Sequence, residues 1–384
     1  MAPRHLYIHV PFCARRCSYC DFSIAVRSST PIDEYTSALR TELALGAVGG
    51  SVLDTVYLGG GTPSRLGGLG VAEVISSVRD HASIGPGAEI TIEANPDDVN
   101  DLAVAKWVAA GVNRVSLGSQ SFDDSVLEWM HRTHDASQIG EAVKTLRRGG
   151  ISNVSLDLIF ALPASLNRSW ERDLTLALDL EPEHVSLYGL TVEAHTPIAR
   201  WADRGAVVEG TEAEYEEEFL LANEEMTRAG FEHYEVSNFS LPGRASRHNS
   251  AYWTGVPYAG VGPSAHSYDG AARRWNVAAY SAWSQRLAAG HAVTGGEEIL
   301  TAENRDAEKV YLGLRTRRGL DIDATELDVV GRWAEAGWAE LEGNRLRLTP
   351  TGWLRLDSLA ADLAARRERN ANVALSPTPS HCYI

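Results

Sequence analysis

Leu6-Tyr7-Ile8-His9-Val10-Pro11-Phe12-Cys13-Ala14-Arg15-Arg16-Cys17-Ser18-Tyr19-Cys20 decides how the rest of this 384-residue chain is read. Its first five residues alternate as an extended strand does: Tyr7 and His9 point one way, and Leu6, Ile8 and Val10 the other. Proline stops the run, and three cysteines follow within eight residues. A reactive loop placed directly after a first strand suits parallel α/β folds, which hold ligands beyond the carboxyl ends of their strands.

Five further runs have the same character: 55–60, 89–94, 114–121, 153–162 and 184–192. Each is rich in β-branched or aliphatic residues and bounded by Gly, Pro, Asn or Asp. The segments between them, such as 31–46 and 101–110, carry helical apolar spacing. Repeated strand–helix alternation predicts a parallel sheet, either open and doubly wound or an incomplete (β/α)6 TIM-like barrel. Polar residues share a face on strand after strand: Thr91, Glu93 and Asn95; Ser116, Gly118 and Gln120; Ser155 and Asp157. Such matched faces predict a common lumen lined for a polar ligand, and with it the partial barrel.

With 44% hydrophobic and 22% charged residues the chain has ample material for a core, which excludes a disordered or collagen-like protein. The net charge of −16 argues against nucleic acid as a partner, since such binding lives on counterion release. No run approaches the roughly 18 apolar residues of a membrane span, and the start lacks the apolar stretch of a secretory signal. The expectation is a cytoplasmic protein with reduced thiols at Cys13, Cys17, Cys20 and Cys382. The partial barrel is expected over 1–210 and an extension over 211–300. That extension opens with an acidic helix at 211–230, whose apolar side is Tyr215, Phe219 and Met226 and whose 216–218 glutamates form a solvated face. An α+β winged-helix-like module over 301–365 is read as a packing unit, and 366–384 as a flexible tail with a loose thiol at Cys382.

Three thiolates spaced CxxxCxxC leave one coordination position without a protein ligand. Structural zinc closes its site with four ligands, whereas an iron–sulfur cube tolerates three and keeps one iron open. Arg15 and Arg16, between the cysteines, are placed to offset the charge of such a cluster. After the second run, Gly59-Gly60-Gly61-Thr62-Pro63 lets the backbone approach a ligand closely and present amide donors.

In this setting the cysteine loop resembles that of radical SAM proteins, where it holds a [4Fe–4S] cluster with S-adenosylmethionine on the open iron. The resemblance implies one-electron cleavage of the sulfonium to a 5′-deoxyadenosyl radical, with a one-electron reductant as partner if that cleavage occurs. Further residues, in order, are similar to those of the oxygen-independent coproporphyrinogen-III-oxidase-like group. They are the Gly-Gly-Gly-Thr-Pro loop, Glu93 in Glu-Ala-Asn-Pro, Gln120 in Gly-Ser-Gln-Ser-Phe, Arg132 in Met-His-Arg-Thr-His and Asp157 in Asp-Leu-Ile-Phe-Ala-Leu-Pro. The likeness runs over about residues 5–365. It implies Cys13, Cys17 and Cys20 as cluster ligands, and Tyr7, Gly60, Gly61, Thr62, Glu93, Gln120, Arg132 and Asp157 as S-adenosylmethionine contacts. A carboxylate suits a ribose diol or α-amino group, and an arginine an α-carboxylate.

Two functions divide that group: an oxidase that decarboxylates two propionates of coproporphyrinogen III, and a HemW-type heme chaperone that delivers heme to respiratory proteins. Phe22 stands where the oxidase has a further cysteine, and Cys13 lacks the oxidase's preceding extension. His248-Asn249-Ser250-Ala251-Tyr252-Trp253 matches the HNxxYW string of the chaperone. The resemblance therefore implies heme as a ligand, bound by an accessible loop histidine at His248. Tyr252, Trp253 and Tyr258 would cover the macrocycle, and His233 and His266 are candidates for the second axial ligand. Heme-accepting respiratory proteins follow as partners; a homodimer and peripheral membrane contact are left open. No basic amphipathic helix supports the latter.

Overall fold

The computed structural model describes residues 2–375, with side chains to residue 370; Cys382 and the rest of 376–384 lie outside the described residues. Six strands carry the frame: β1 (His5–Val10), β2 (Val52–Gly60), β3 (Ser83–Ala94), β4 (Arg114–Gln120), β5 (Val154–Phe160) and β6 (His184–Gly189). Each pairs in parallel with the next. Three short strands, β7 (Glu232–Glu235), β8 (Asn238–Ser240) and β9 (Ala259–Val261), extend the edges. The sheet order is β9-β1-β2-β3-β4-β5-β6-β8-β7. β9 runs parallel to β1 and β8 antiparallel to β6, so the sheet stays open. This is the incomplete (β/α)6 barrel.

The outward faces are apolar, as the alternation requires. Leu6, Ile8, Val56, Leu58, Ile92, Val115, Leu117 and Leu156 have no exposed surface, and burying each such side chain contributes about 1.5–3 kcal/mol. They face the connecting helices α1 (Ile32–Ala44), α2 (Gly67–His81), α3 (Asp101–Ala110), α4 (Ala136–Arg148) and α5 (Trp170–Leu178). In α4 the local cause is plain. Asp135 and Gln138 form a capping box, and Ile139, Ala142, Val143 and Leu146 repeat every three or four residues as its buried stripe.

The acidic helix of the extension is α6 (Glu212–Arg228), started by a Thr211–Glu214 capping box. Phe219 and Met226 are buried, and Tyr215 packs on Phe160 at 4.8 Å. The 216–218 glutamates do not form one solvated face. Glu218 accepts the Ala161 N–H at 2.6 Å and pairs at 2.8 Å with Arg168, a guanidinium buried on the side of Trp170. A cation that deeply covered requires a counter-charge. Downstream, α7 (Arg247–Trp253) carries the His248 segment.

Two compact units emerge. One comprises residues to His233, Ser237–Tyr252 and Val256–Ile299; the other comprises Tyr234–Val236, Trp253–Gly255 and the chain from Leu300. In the second, helices Ala302–Arg315 and Leu327–Glu335 precede the hairpin Ala339–Glu342/Arg345–Leu348, which Leu320–Asp321 joins as a third strand. The last helix, Leu356–Leu375, runs past the point where a flexible tail was expected to begin. Arg367 pairs at 2.7 Å with Glu326, whose side chain is fully buried, and Arg366 pairs at 2.6 Å with Asp328. A buried carboxylate needs such a cation, and that need orders 366–370 as helix. Among the described residues no helix is long and apolar enough to cross a membrane.

Candidate functional site

A cavity of about 340 Å³ opens at the carboxyl ends of the six strands, lined among others by Cys13, Cys17, Cys20, Gly60, Gly61, Thr62, Glu93, Gln120, Arg132 and Asp157. Of the residues expected at the site, Tyr7 and His248 do not line it.

The cysteines lie in the loop after β1, and all three are free thiols. Among the described residues no three His, Cys, Asp or Glu side chains are drawn around a single-ion position. Thr62 Oγ1 donates to Cys13 Sγ at 3.5 Å, and Arg132 Nη1 to Cys17 Sγ at 3.4 Å. Arg16 turns back to donate to the Cys20 carbonyl at 3.0 Å, and the Ser18 N–H reaches the Met130 carbonyl at 3.1 Å. Burial raises the Cys13 thiol and pushes Cys20 up to about 11. Thiols so placed ionise when a metal centre supplies positive charge. Three free thiols on one cavity wall, with a hydroxyl donor at the Cys13 sulfur and a guanidinium at that of Cys17, fit an iron–sulfur cluster.

The glycine loop after β2 is shaped by close approach. Gly60 has φ +113, and a Cβ there would meet the His9 ring at 2.5 Å; one on Gly61 would meet the Pro11 carbonyl at 2.7 Å. Bare backbone lets this loop lie against the cysteine loop, and the Gly60 N–H donates to Glu93 Oε2 at 2.9 Å. Glu93 also accepts from Tyr57 Oη at 2.8 Å. Burial raises Glu93 to about 7, against the pull of the Tyr57 and Gly60 donors. Burial likewise raises Asp157 to about 6, opposed by the Ser186 and Ser116 hydroxyls. These are two enclosed carboxylates held by neutral donors, and a cationic or hydroxyl-bearing ligand is their natural complement.

Arg132 is anchored three ways, to Cys17 and, through Nη2, to Asn95 Oδ1 at 2.7 Å and the Gly118 carbonyl at 2.9 Å. Among the described residues its buried Nε has no hydrogen-bond partner. Gln120 (φ +68), His131 (φ +59) and Ala161 (φ +56) all take the left-handed conformation around this end of the sheet, where strained backbone re-aims side chains toward a ligand. Sequence reasoning did not single out Asn95 or Tyr188 as site residues, yet both line the cavity. The signal was available, for Asn95 continues the Thr91–Glu93 face and Tyr188 the Ser186 face.

His248 corrects the sequence reading. It lies on α7, 1% exposed, and not in an accessible loop. Its Nδ1 is 2.7 Å from Thr55 Oγ1 and its Nε2 is 2.8 Å from Tyr252 Oη, while its ring stacks 4.9 Å from Tyr57. Burial brings its pKa down to about 3, so the ring is neutral and both nitrogens are engaged. The Arg247 and His248 N–H groups both donate to Glu89. The segment thus supplies partners for buried Thr55 and Glu89. Tyr7 belongs to the same layer, stacked on Tyr57 and His248 with its hydroxyl 3.1 Å from His9 Nδ1. Nor are the aromatics an open platform. Tyr252 packs edge-on to Tyr258 at 4.7 Å, and Arg315 lies over Trp253 at 4.2 Å. Of the alternative ligands, His233 is buried and stacked on Phe239 at 3.8 Å, whereas His266 is exposed beside Trp275.

Residues 7–177 match the radical SAM superfamily. The protein named heme chaperone HemW of Mycobacterium tuberculosis is 37% identical over 369 residues, covering 94% of this chain and 95% of that one. The chain belongs to the HemW family of radical SAM proteins. Its likeness extends to the heme chaperone HemW of Synechocystis, 37% identical over 89% of this chain and 88% of the relative. HemW of Escherichia coli is 35% identical over 69% and 70%. Among solved structures, the coproporphyrinogen III oxidase HemN of Escherichia coli superposes with a TM-score of 0.78 over 94% of this chain and 89% of its own. At 22% identity that likeness establishes a shared fold.

Proposed function

We propose that this HemW-family protein is a heme chaperone. It would carry a [4Fe–4S] cluster on Cys13, Cys17 and Cys20, bind S-adenosylmethionine beside it, and, from the cytoplasm, pass heme to respiratory proteins. The observation that carries the reading is end-to-end likeness to proteins named heme chaperone, together with one cavity that gathers the cysteines and the polar strand ends. The cluster, when bound, supplies an open iron and one electron at a time. The chain's own residues would do the rest. Glu93 and Asp157 would take the ligand's ammonium and diol, and Arg132 Nε would meet its carboxylate. Gly60 and Gly61 would let the ligand approach the backbone, and Phe22, 58% exposed, stands at the mouth.

Heme is the cargo. Ligation of its iron by His248 requires that the imidazole give up a hydrogen bond, to Thr55 or to Tyr252. The test is a Soret titration of anaerobically reconstituted protein with heme, comparing wild type, His248→Ala and Tyr252→Phe. Saturable binding near one heme per chain supports the chaperone. If His248 is the ligand, His248→Ala weakens binding and Tyr252→Phe, which frees Nε2, tightens it. Equal binding by all three overturns the His248 assignment. Anaerobic turnover of coproporphyrinogen III with S-adenosylmethionine and reductant would overturn the chaperone reading in favour of the oxidase.

A further inference from the structure

Beneath the cavity the lumen holds a cation that the site described above does not use. Arg114 opens β4, and alternation puts it on the face of Ser116, Gly118 and Gln120, which line the cavity. It is 1% exposed, yet among the described residues its Nε and Nη1 have no hydrogen-bond partner. Thr91, its register partner on β3, is fully buried and its Oγ1 is orphaned as well. Buried guanidinium and hydroxyl groups are costly to leave unsatisfied, and two orphans side by side on one polar face mark a seat for ordered water.

Arg114 acts on Tyr57 from β2, Glu93 from β3, Asp157 from β5, His184 from β6 and His248 from α7. Tyr7 and Tyr252 act with Glu93, and the Ser116, Ser155 and Ser186 hydroxyls bond Asp157. His184 is bonded to Ser155 Oγ at 2.7 Å, and burial holds His184 and His248 neutral. Tyr7, Tyr57 and Tyr252 are kept protonated by burial. Register sets Arg114 beside both carboxylates: its partner Thr91 lies two residues before Glu93, and Ser116, two residues after Arg114 itself, donates to Asp157 Oδ1 at 3.0 Å; its charge lowers both.

We propose that Arg114 is a positioning residue of the ligand cavity: its buried charge beside Thr91 favours the carboxylate form of Glu93 and Asp157, the form competent to hold a cationic, diol-bearing ligand. Burial drives both carboxyls upward, to about 7 and about 6, even with Arg114 and the neutral donors pulling them down. Without that cation both would titrate higher still.

The ligand arm of the test rests on the S-adenosylmethionine reading; the stability arm does not. Cluster-loaded wild type, Arg114→Gln and Arg114→Lys are melted without ligand from pH 5.5 to 8.5, and titrated with S-adenosylmethionine over the same range. The melting deficit of Arg114→Gln should widen as pH rises, because the carboxylates then ionise without compensation; Arg114→Lys should follow wild type. If both carboxyls titrate one pH unit higher, S-adenosylmethionine binding becomes about tenfold weaker than wild type at pH 7, returning to within about twofold at pH 8.5. The ratio to wild type cancels the ligand's own titration. A deficit and a binding ratio that do not change with pH would reduce Arg114 to a filler and overturn the inference. Failure of wild type to bind S-adenosylmethionine would sink that reading, while a widening deficit would still establish the charge coupling. If Arg114→Gln does not fold, the double variant with Glu93→Gln should fold, and no such rescue would again overturn the inference.

Discussion

Gly60→Ala tests whether the glycine loop is glycine because two loops must touch. At φ +113 an L-residue is strained by about 1–3 kcal/mol. The new Cβ would also sit 2.5 Å from the His9 ring, well inside contact distance. His9 cannot step aside freely: it is 6% exposed, and its nitrogens are 2.9 Å from the Ser23 carbonyl and 3.1 Å from Tyr7 Oη. Overpacking against a ring so held adds about 1–3 kcal/mol, for a total of about 2–6 kcal/mol. Gly87→Ala is the matched control. Its φ of +70 imposes strain alone, about 1 kcal/mol, because nothing lies within 4 Å of a Cβ there.

At about 2 °C per kcal/mol for a chain of this size, Gly60→Ala should lower the melting midpoint by about 4–12 °C and Gly87→Ala by about 2 °C. The Gly60 N–H would also shift from Glu93, so Gly60→Ala should lose S-adenosylmethionine affinity and Gly87→Ala should not. Circular dichroism melts and calorimetric titration of reconstituted protein read both effects. Equal melting of the two variants, with unchanged ligand binding, would refute the reasoning.

Arg132→Lys should lower iron retained per chain and weaken S-adenosylmethionine binding at least tenfold, as about 1.5–3 kcal/mol per lost charged hydrogen bond implies; one ammonium cannot span Cys17, Asn95 and Gly118. Glu42 is buried against the Gly262 N–H, Asn276 Nδ2 and Trp283 Nε1, and burial raises it to about 7. A carboxyl raised on folding contributes stability that is present below its unfolded value, near 4.5, and is lost as pH climbs through 7. Glu42→Gln should therefore flatten the fall in urea-unfolding stability between pH 5 and 7.5, read by circular dichroism, and an unchanged slope would count against it. Arg367→Met strands the fully buried Glu326 carboxylate, so the Leu300-onward unit should lose about 3–5 kcal/mol and become protease-sensitive; unaltered proteolysis would mean that residues 366–370 contribute nothing.

The partial barrel and most of its site were legible because parallel strands have a period of two and bury one face under helices. The opposite face was bound to meet itself across the lumen, so Glu93, Asp157 and Gln120 could be assigned to one chamber before any contact was known. Alternation says which side a residue faces but not how deep it lies. Tyr7 was correctly turned toward the lumen, yet it sits three residues before Val10, which pairs with Gly60. At about 3.3 Å per residue that is about 10 Å below the ligand level. Arg114 escaped notice for the same reason, as the first residue of a strand read for its far end. His248 was misread in another way. Its spacing to Tyr252 is visible in the chain, but its other partner, Thr55, lies 193 residues earlier, and no local pattern announces so distant a hydroxyl. A string such as HNxxYW names the residues of a site without saying whether they face the ligand or hold the wall behind it. Here His248 and Tyr252 bond each other within the wall, with both nitrogens of the His248 ring engaged. Any part they take in heme binding must begin by opening that layer, and freeing Nε2 by removing the Tyr252 hydroxyl separates a ligand from a pillar.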